Sequence, residues 1–245
     1  MLEAGFYNLD CMEGMAQFPD GFFDLAIVDP PYGISADTFN NGSGASKDKG
    51  HKYGTAVRCR RDRVNDGRGK LRNRPFNRAD CSWDREQPPP EYFRELFRVS
   101  KNQIIWGGNY FDLPPTRCVV VWDKMQPWEN FSQVEIAWTS FDKPAALFRM
   151  SNTMAGKIHP TQKPVELYQW LLNRFARPGM KILDTHVGSA SSLVACQRAG
   201  IEYWGFEIDP SYFGKASVRL EQEKAQVSMM ELMRQATPEP EQIGW

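Results

Sequence analysis

The chain has 245 residues with thirty Lys/Arg balanced by thirty Asp/Glu, and its composition is that of an ordinary soluble globular protein, long enough to bury a real core in one large domain or two small ones. No apolar run approaches the roughly 20 residues of a membrane span, and the start MLEAGFYNLDCMEGM lacks the basic-then-apolar order of a signal peptide. Cys11, Cys59, Cys81, Cys118 and Cys196 are odd in number and contain no CxxC pair, which points to free thiols in a reducing, cytoplasmic setting and away from a disulfide framework or a zinc site.

In chain order, strands are expected at 5–10 (GFYNLD) and 24–29 (DLAIVD), with a short helical turn around Met12 to Gln17 between them. The second strand ends abruptly in Asp29-Pro30-Pro31-Tyr32. Proline lacks a backbone donor and disfavours helix for the residue before it. A core strand therefore delivers a carboxylate and an aromatic ring into a stiff, extended loop. Residues 33–90 are polar, basic and rich in Gly, Asn and Pro, with little periodicity. An irregular stretch of that length is functional or disordered. Within it, residues 45–85 carry thirteen Lys/Arg against five acids, a net of +8 that leaves −8 on the rest of the chain. A solvated loop fits this run, and so does an arm that binds nucleic-acid phosphates by counterion release. Arg60, Arg61, Arg63, Arg72 and Arg74 are the candidate DNA-binding residues.

PPPEYFRELFRVS reads as a helix with Tyr92, Phe93, Leu96 and Phe97 on one face. Three strand-like runs follow at 102–108, 117–124 and 133–141, and then a loop over 142–158. HPTQKPVELYQWLLNRFARPG is a helix entered through Pro164 and stopped by Pro178-Gly179. KILD (181–184) is a short strand, SSLVACQRA a helix, EYWGFEI (202–208) a strand and SYFGKASVRLEQEKAQ a last amphipathic helix before a loose tail. Alternating strands and helices imply an α/β fold with a mostly parallel sheet covered on both faces. Ligands of such sheets bind beyond the carboxyl ends of the strands, near the topological switch point.

Two segments fall there. One is Asp29 to Tyr32. The other is Leu183 to Ser191 (LDTHVGSAS), which offers Gly188 and small residues where a backbone must approach a ligand. It has no P-loop lysine and no GxGxxG pattern. Glu207 ends the next strand about 20 residues on, where an acid can grip ribose hydroxyls. Strand, small-residue loop, helix and strand-end acid together suggest an adenosine-containing cofactor.

These residues also carry a family resemblance. Asp29-Pro30-Pro31-Tyr32 resembles the catalytic motif of amino-methyltransferases acting on DNA, and Asp184 to Ser191 resembles their S-adenosylmethionine loop, usually DPFxGxGT. His159-Pro160-Thr161-Gln162-Lys163-Pro164 is similar to the HPTQKP motif of the beta-ordered group, in which the catalytic motif precedes the cofactor motifs, as here. Leu9-Asp10-Cys11-Met12 resembles that group's GDC segment and Phe206-Glu207-Ile208-Asp209-Pro210 its GIEIDP segment. Thr185-His186 departs from the usual Pro-Phe, and Ala190 from a glycine. The resemblance implies a single Rossmann-like methyltransferase domain over 1–245 with a seven-stranded, mostly parallel sheet. It places an inserted target-recognition region at 35–90. It also implies S-adenosylmethionine as cofactor and double-stranded DNA as partner, and it admits a homodimer.

The implied reaction is transfer of a methyl group to adenine N6, with Asp29, Pro30, Pro31 and Tyr32 as catalytic residues. Asp29 and the Pro30 carbonyl would each accept an amino N–H. The prolines would hold the loop and Tyr32 would stack on a flipped base. Cofactor binding falls to Asp10, His159, Thr161, Lys163, Asp184, Thr185, His186, Gly188, Ser189, Ser191, Glu207 and Asp209, with no metal. By the resemblance Thr161 and Lys163 meet the cofactor's methionine end. Bland alternatives stand beside these roles: Asp10 as a strand-end cap, His159 as a satisfied loop histidine, and Trp106 to Tyr110 as core. Cytosine N4 is the alternative target. A nicotinamide or other nucleotide enzyme and a DNA-binding module with a decayed cofactor loop are the alternatives of other classes.

Overall fold

The structure is a computed structural model that describes residues 1–34, 84, 86–126, 132–153, 156–159 and 161–236, with residues 227–236 as helical backbone only. The five candidate DNA-binding arginines of the basic run, His51, Pro160 and the tail from 237 lie outside the described residues.

Among the described residues eight strands form one sheet: β1 (Gly5–Tyr7), β2 (Leu25–Val28), β3 (Gln103–Trp106), β4 (Val119–Asp123), β5 (Val134–Thr139), β6 (Ala146–Arg149), β7 (Lys181–Asp184) and β8 (Glu202–Phe206). Their order is β1-β8-β7-β2-β3-β5-β4-β6. All neighbours are parallel except β5, which runs antiparallel to both β3 and β4. The expected mostly parallel sheet is therefore present, but with eight strands rather than seven. The added strand is β6, inside the expected loop 142–158. It is four residues long, and its partner is β4, from Val120↔Ala146 to Asp123↔Arg149. So short a segment shows its strand character only through that pairing.

Several expected strands also end early, those over 102–108 and 133–141 at Trp106 and Thr139. GFYNLD is extended only over Gly5–Tyr7, and the Asn8 side chain donates to the carbonyls of Glu207 (2.7 Å) and Ile208 (3.1 Å). The strand over 202–208 stops at Phe206.

The helices among the described residues are α1 (Cys11–Met15), α2 (Pro90–Val99), α3 (Val165–Phe175), α4 (Ser191–Ala199) and α5 (Pro210–Ala236). Prolines open three of them: Pro90 is the first residue of α2, Pro164 caps α3 and Pro210 starts α5. β2 is buried at all four positions, as a central parallel strand covered on both faces must be. On one face Ala26, Val28, Ile105, Leu183, Trp204 and Phe206 pack with Met15, Phe18, Tyr92, Leu96 and Val99 from α1, its following turn and α2. On the other face α4 presses close at Gly205, where a Cβ would meet Leu193 at 2.7 Å and Val187 at 2.8 Å.

The chain divides into two compact units, Met1–Pro30 with Pro88–Trp245, and Pro31–Gln87. The sheet and its helices belong to the first. In the second, the Tyr32 N–H donates to Asp84 Oδ1 at 2.8 Å, and Gly33 takes φ +70° with Gln87 against it. Among the described residues no helix is long and apolar enough to cross a membrane.

Candidate active site

The sheet reverses its winding between β2 and β7. From β2 the next strand, β3, lies on one side; from β7 the next strand, β8, lies on the other. β2 and β7 are themselves neighbours, paired Leu25↔Ile182 and Ala26↔Leu183. Their carboxyl ends therefore flank the switch point, where open α/β sheets bind ligands. Asp29 follows β2 there, and Asp184 ends β7. The two motifs separated by about 150 residues of chain are brought to adjacent strand ends.

The loop after β7 is built from its own hydrogen bonds. Asp184 is buried; one carboxylate oxygen accepts the His186 N–H at 3.0 Å and the other accepts the Ser192 hydroxyl of α4. Burial pushes the Asp184 carboxyl up to about 7 against those bonds. The Thr185 hydroxyl lies 2.6 Å from the Tyr92 hydroxyl of α2 and 2.9 Å from His186 Nδ1. His186 thus stands in a side-chain network rather than as an isolated ring, and burial lowers its pKa to about 4. Gly188 has φ +54° and Ala190 φ +60°, the left-handed region that lets the chain turn back into α4. Arg219 of α5 donates to the Ser189 carbonyl at 2.7 Å and the Ser191 hydroxyl at 3.0 Å.

Acids from neighbouring strand ends surround this loop. Glu207 accepts the Gly188 N–H at 2.8 Å and the Asp209 N–H at 2.9 Å. Burial raises its pKa. Asp209 caps α5 through the N–H groups of Ser211 (2.7 Å) and Tyr212 (3.0 Å). Asp10, after β1, is the N-cap of α1 and accepts Met12 N–H at 2.8 Å, so its cap is a helix cap rather than a strand-end one. His159 packs on Tyr212 with ring centroids 4.3 Å apart and lies 3.6 Å from where a Gly188 Cβ would stand. Its Nδ1 is 3.1 Å from the Thr161 hydroxyl, and burial lowers its pKa to about 4. A glycine turn among carboxylates suits the hydroxyls and amine of an adenosyl-amino-acid cofactor, since an ionised carboxylate has acceptor sites beyond those a single backbone N–H uses.

Lys163 takes a different place. Its ammonium is buried between the Asp29 carboxylate, which it pairs with closely, and Glu135 Oε2 at 3.1 Å. It also lies 5.2 Å from the centre of the Trp106 ring. Glu135 pairs in turn with Lys124 through its other oxygen. Burial alone would lower the Lys163 pKa; the two carboxylates outweigh it and hold the ammonium above its ordinary value. Burial would raise Glu135, and the two lysines hold it down. The structure brings together Asp29 with Lys163, and Asp184 to Ser191 with His159, Glu207 and Asp209. Pro31 and Tyr32 belong to the second unit. Glu135, Tyr92 and Arg219 were not singled out as site residues from sequence. A lone acid in QVEIAWTSF was the one available signal for Glu135.

Residues 105–217 match the model of the N6_N4_Mtase family, described as DNA methylase. The matched stretch, a little under half of the chain, holds Lys163, the loop after β7 and Glu207. The chain is 28% identical over 144 residues to the type II methyltransferase M2.DpnII of Streptococcus pneumoniae, covering 59% of this chain and 51% of that one. It is 26% identical over 141 residues to M2.LlaDCHI of Lactococcus lactis subsp. cremoris, covering 58% and 49%. It thus spans about half the length of the curated relatives it matches. Among solved structures, the PvuII DNA methyltransferase (cytosine-N4-specific) superposes with a TM-score of 0.52 at 12% identity, over 93% of each chain. The M1.HpyAVI–SAM complex does so with a TM-score of 0.50 at 18% identity, over 88% of this chain and 98% of that one. At these identities the likeness is one of fold, and the fold is the Rossmann-like α/β fold of DNA methyltransferases.

Proposed function

We propose that the chain is an S-adenosylmethionine-dependent DNA methyltransferase that modifies the N6 amino group of an adenine extruded from double-stranded DNA. The observation that carries this reading is the placement of Asp29 and the Asp184–Ser191 loop at the carboxyl ends of neighbouring strands β2 and β7, at the switch point. Glu207, Asp209, Asp10, His159, Thr161 and the loop after β7 would hold the cofactor. Bound there, its sulfonium supplies an already activated methyl group.

The residues of the chain have a separate task. An adenine amino nitrogen is a poor nucleophile because its lone pair is delocalised into the ring. Asp29 accepting one N–H and the Pro30 carbonyl accepting the other would favour a more tetrahedral nitrogen with its lone pair available. The rigid Pro30-Pro31 pair would keep both acceptors in place, so little reorganisation is needed at reaction. Tyr32, next in the chain, would stack on the extruded base. The +8 run within residues 35–90 would bind the DNA backbone and recognise the target.

The test uses duplex DNA and methyl-labelled S-adenosylmethionine, followed by digestion to nucleosides. Label in N6-methyladenine is the expected result. Label in N4-methylcytosine would replace the base assignment, and cofactor binding without any transfer to DNA would overturn the enzyme.

A further inference from the structure

Four charged side chains alternate in sign along the carboxyl edge of the sheet. Lys124 follows β4, Glu135 sits at the start of β5, Lys163 precedes α3, and Asp29 follows β2. The antiparallel register Trp122↔Glu135 puts the start of β5 at the edge where β2, β3 and β4 end. Glu135 therefore reaches the candidate active site from the far side of Lys163.

Resting on the methyltransferase reading, we infer that Glu135 is a positioning residue for methyl transfer: together with the Trp106 ring it holds the Lys163 ammonium at a fixed point beside Asp29. The Lys163 ammonium has three N–H donors. Asp29 and Glu135 engage it from two sides, and the indole ring of Trp106 lies 5.2 Å from it. Sharing the cation between two carboxylates spares Asp29 from being its sole counter-charge. Asp29 can then turn part of its hydrogen bonding to an arriving amino group while Lys163 stays in place on Glu135. With Glu135 neutral, the buried ammonium would lean more heavily on Asp29 and compete with the substrate for it. Lys124 balances the added negative charge, so the four groups sum to zero.

The experiment compares the full-length wild type with Glu135→Gln, Glu135→Asp and the double variant Lys124→Met/Glu135→Gln, which removes one charge of each sign and so protects the fold. One readout is the ¹⁵Nζ signal of Lys163, assigned through Lys163→Arg and visible only while ammonium exchange with water is slow. The other is single-turnover methyl transfer to DNA beside KM for DNA and Kd for S-adenosylmethionine. We expect the Lys163 signal to be sharp in the wild type and lost or shifted in Glu135→Gln. The single-turnover rate of Glu135→Gln and of the double variant should fall by about tenfold to a hundredfold, with KM and Kd within about twofold, as for a small misplacement of a reacting group. Glu135→Asp should recover part of the rate. Unchanged transfer in Glu135→Gln, or full recovery of rate in the double variant, would overturn the inference. A wild type that shows the Lys163 signal, and loses it in Glu135→Gln, but transfers no methyl group would overturn the enzymatic reading and leave the grip of Glu135 on Lys163 established.

Discussion

Glu207 and Gly188 are joined across two strand ends: the carboxylate that follows β8 accepts the glycine N–H in the loop after β7 at 2.8 Å, and its second oxygen accepts Asp209 N–H at 2.9 Å. A strand-end acid expected to face a ribose therefore also shapes the loop that would face the rest of the cofactor. Replacing it with alanine removes both acceptors. A hydrogen bond to a charged group is worth about 1.5–3 kcal/mol, so Glu207→Ala should weaken S-adenosylmethionine binding by about tenfold or more. The modified DNA site should not change. Titration calorimetry giving a wild-type dissociation constant would remove Glu207 from the cofactor site.

Asp29→Ala should reduce single-turnover methyl transfer on the order of 10²-fold or more, the scale of losing one preorganised polar group at a reacting centre. Cofactor affinity should stay close to wild type, because the proposed cofactor contacts fall on other residues. The variant should also be less stable, since it removes one of the two carboxylates on buried Lys163. Breaking a buried ion pair costs up to about 3–5 kcal/mol, and the remaining pair with Glu135 should keep the loss below that. Thermal melting beside the transfer assay separates the two effects, and wild-type turnover in a folded Asp29→Ala protein would end the catalytic assignment.

What the sequence showed and what it hid divide along a physical line. Asp29, Asp184 and Glu207 were visible because each stands where an apolar strand run stops, and the stop is written in neighbouring residues: two prolines, a small-residue loop, an acid-proline pair. β6 was hidden because Ala146–Arg149 is a four-residue edge segment whose apolar run, Ala-Leu-Phe, is too short to mark a strand by itself. Glu135 was hidden for another reason. An acid near the start of an alternating strand reads as its solvent side, and only the antiparallel placement of β5 turns it toward Lys124 and Lys163. Lys163 was found by its motif, but its contact with Asp29 depends on two segments more than 130 residues apart in the chain.

The basic run supplies a prediction that rests on charge alone. Residues 45–85 carry a net +8 shortly after Asp29-Pro30-Pro31-Tyr32 in the chain. Each of Arg60, Arg61, Arg63, Arg72 and Arg74 that contacts a phosphate should, when changed to alanine, lower the salt slope of DNA binding by about one unit and weaken all sequences alike. One that reads a base edge should instead relax specificity at one position, by about 1–3 kcal/mol. DNA affinity measured against salt, with cofactor affinity as control, sorts the five. If every variant keeps the wild-type slope and site, the run is a solvated loop.

His186 gives the protein an acid-side liability. Burial lowers its pKa to about 4 from an ordinary 6.5. The unfolded chain therefore binds a proton between those values that the folded chain does not. The stability tied to neutral His186 is fully present above about pH 6.5 and is lost as pH falls toward 4. The loss is on the order of a few kcal/mol. His186→Phe restores the ring type usual at this position and cannot titrate, so its melting temperature should fall less steeply than that of the wild type between pH 6.5 and 4. Parallel curves for the two proteins would mean that His186 is solvated enough to titrate normally.

Ala190 stands where the resembling loops carry glycine, and it keeps the glycine's conformation, with φ +60° and ψ 23°. A side chain in the left-handed region costs roughly 1–2 kcal/mol. Glycine there would relieve that strain but would add unfolded-chain entropy, a penalty of about 0.4–1 kcal/mol. The strain is the larger effect, so Ala190→Gly should stabilise the fold by about 0.5–1 kcal/mol. The Ala190 Cβ is fully buried, which takes a little of that gain back as lost contact. The loop's anchors are backbone and neighbouring side chains: Arg219 on Ser189 and Ser191, Glu207 on Gly188. None uses the Ala190 methyl, so the gain should come without loss of cofactor affinity. Urea denaturation should show a higher midpoint with an unchanged slope, the mark of altered stability at constant exposed surface. Gly188→Ala is the control in the opposite direction. Its φ is +54°, and a Cβ there would have ordinary contact distance to His159, so the cost is conformational and not steric. A lower midpoint for Gly188→Ala together with a higher one for Ala190→Gly would show that the turn into α4 is governed by backbone conformation. A lower midpoint for both would show that the Ala190 methyl contributes more by packing than its left-handed backbone costs.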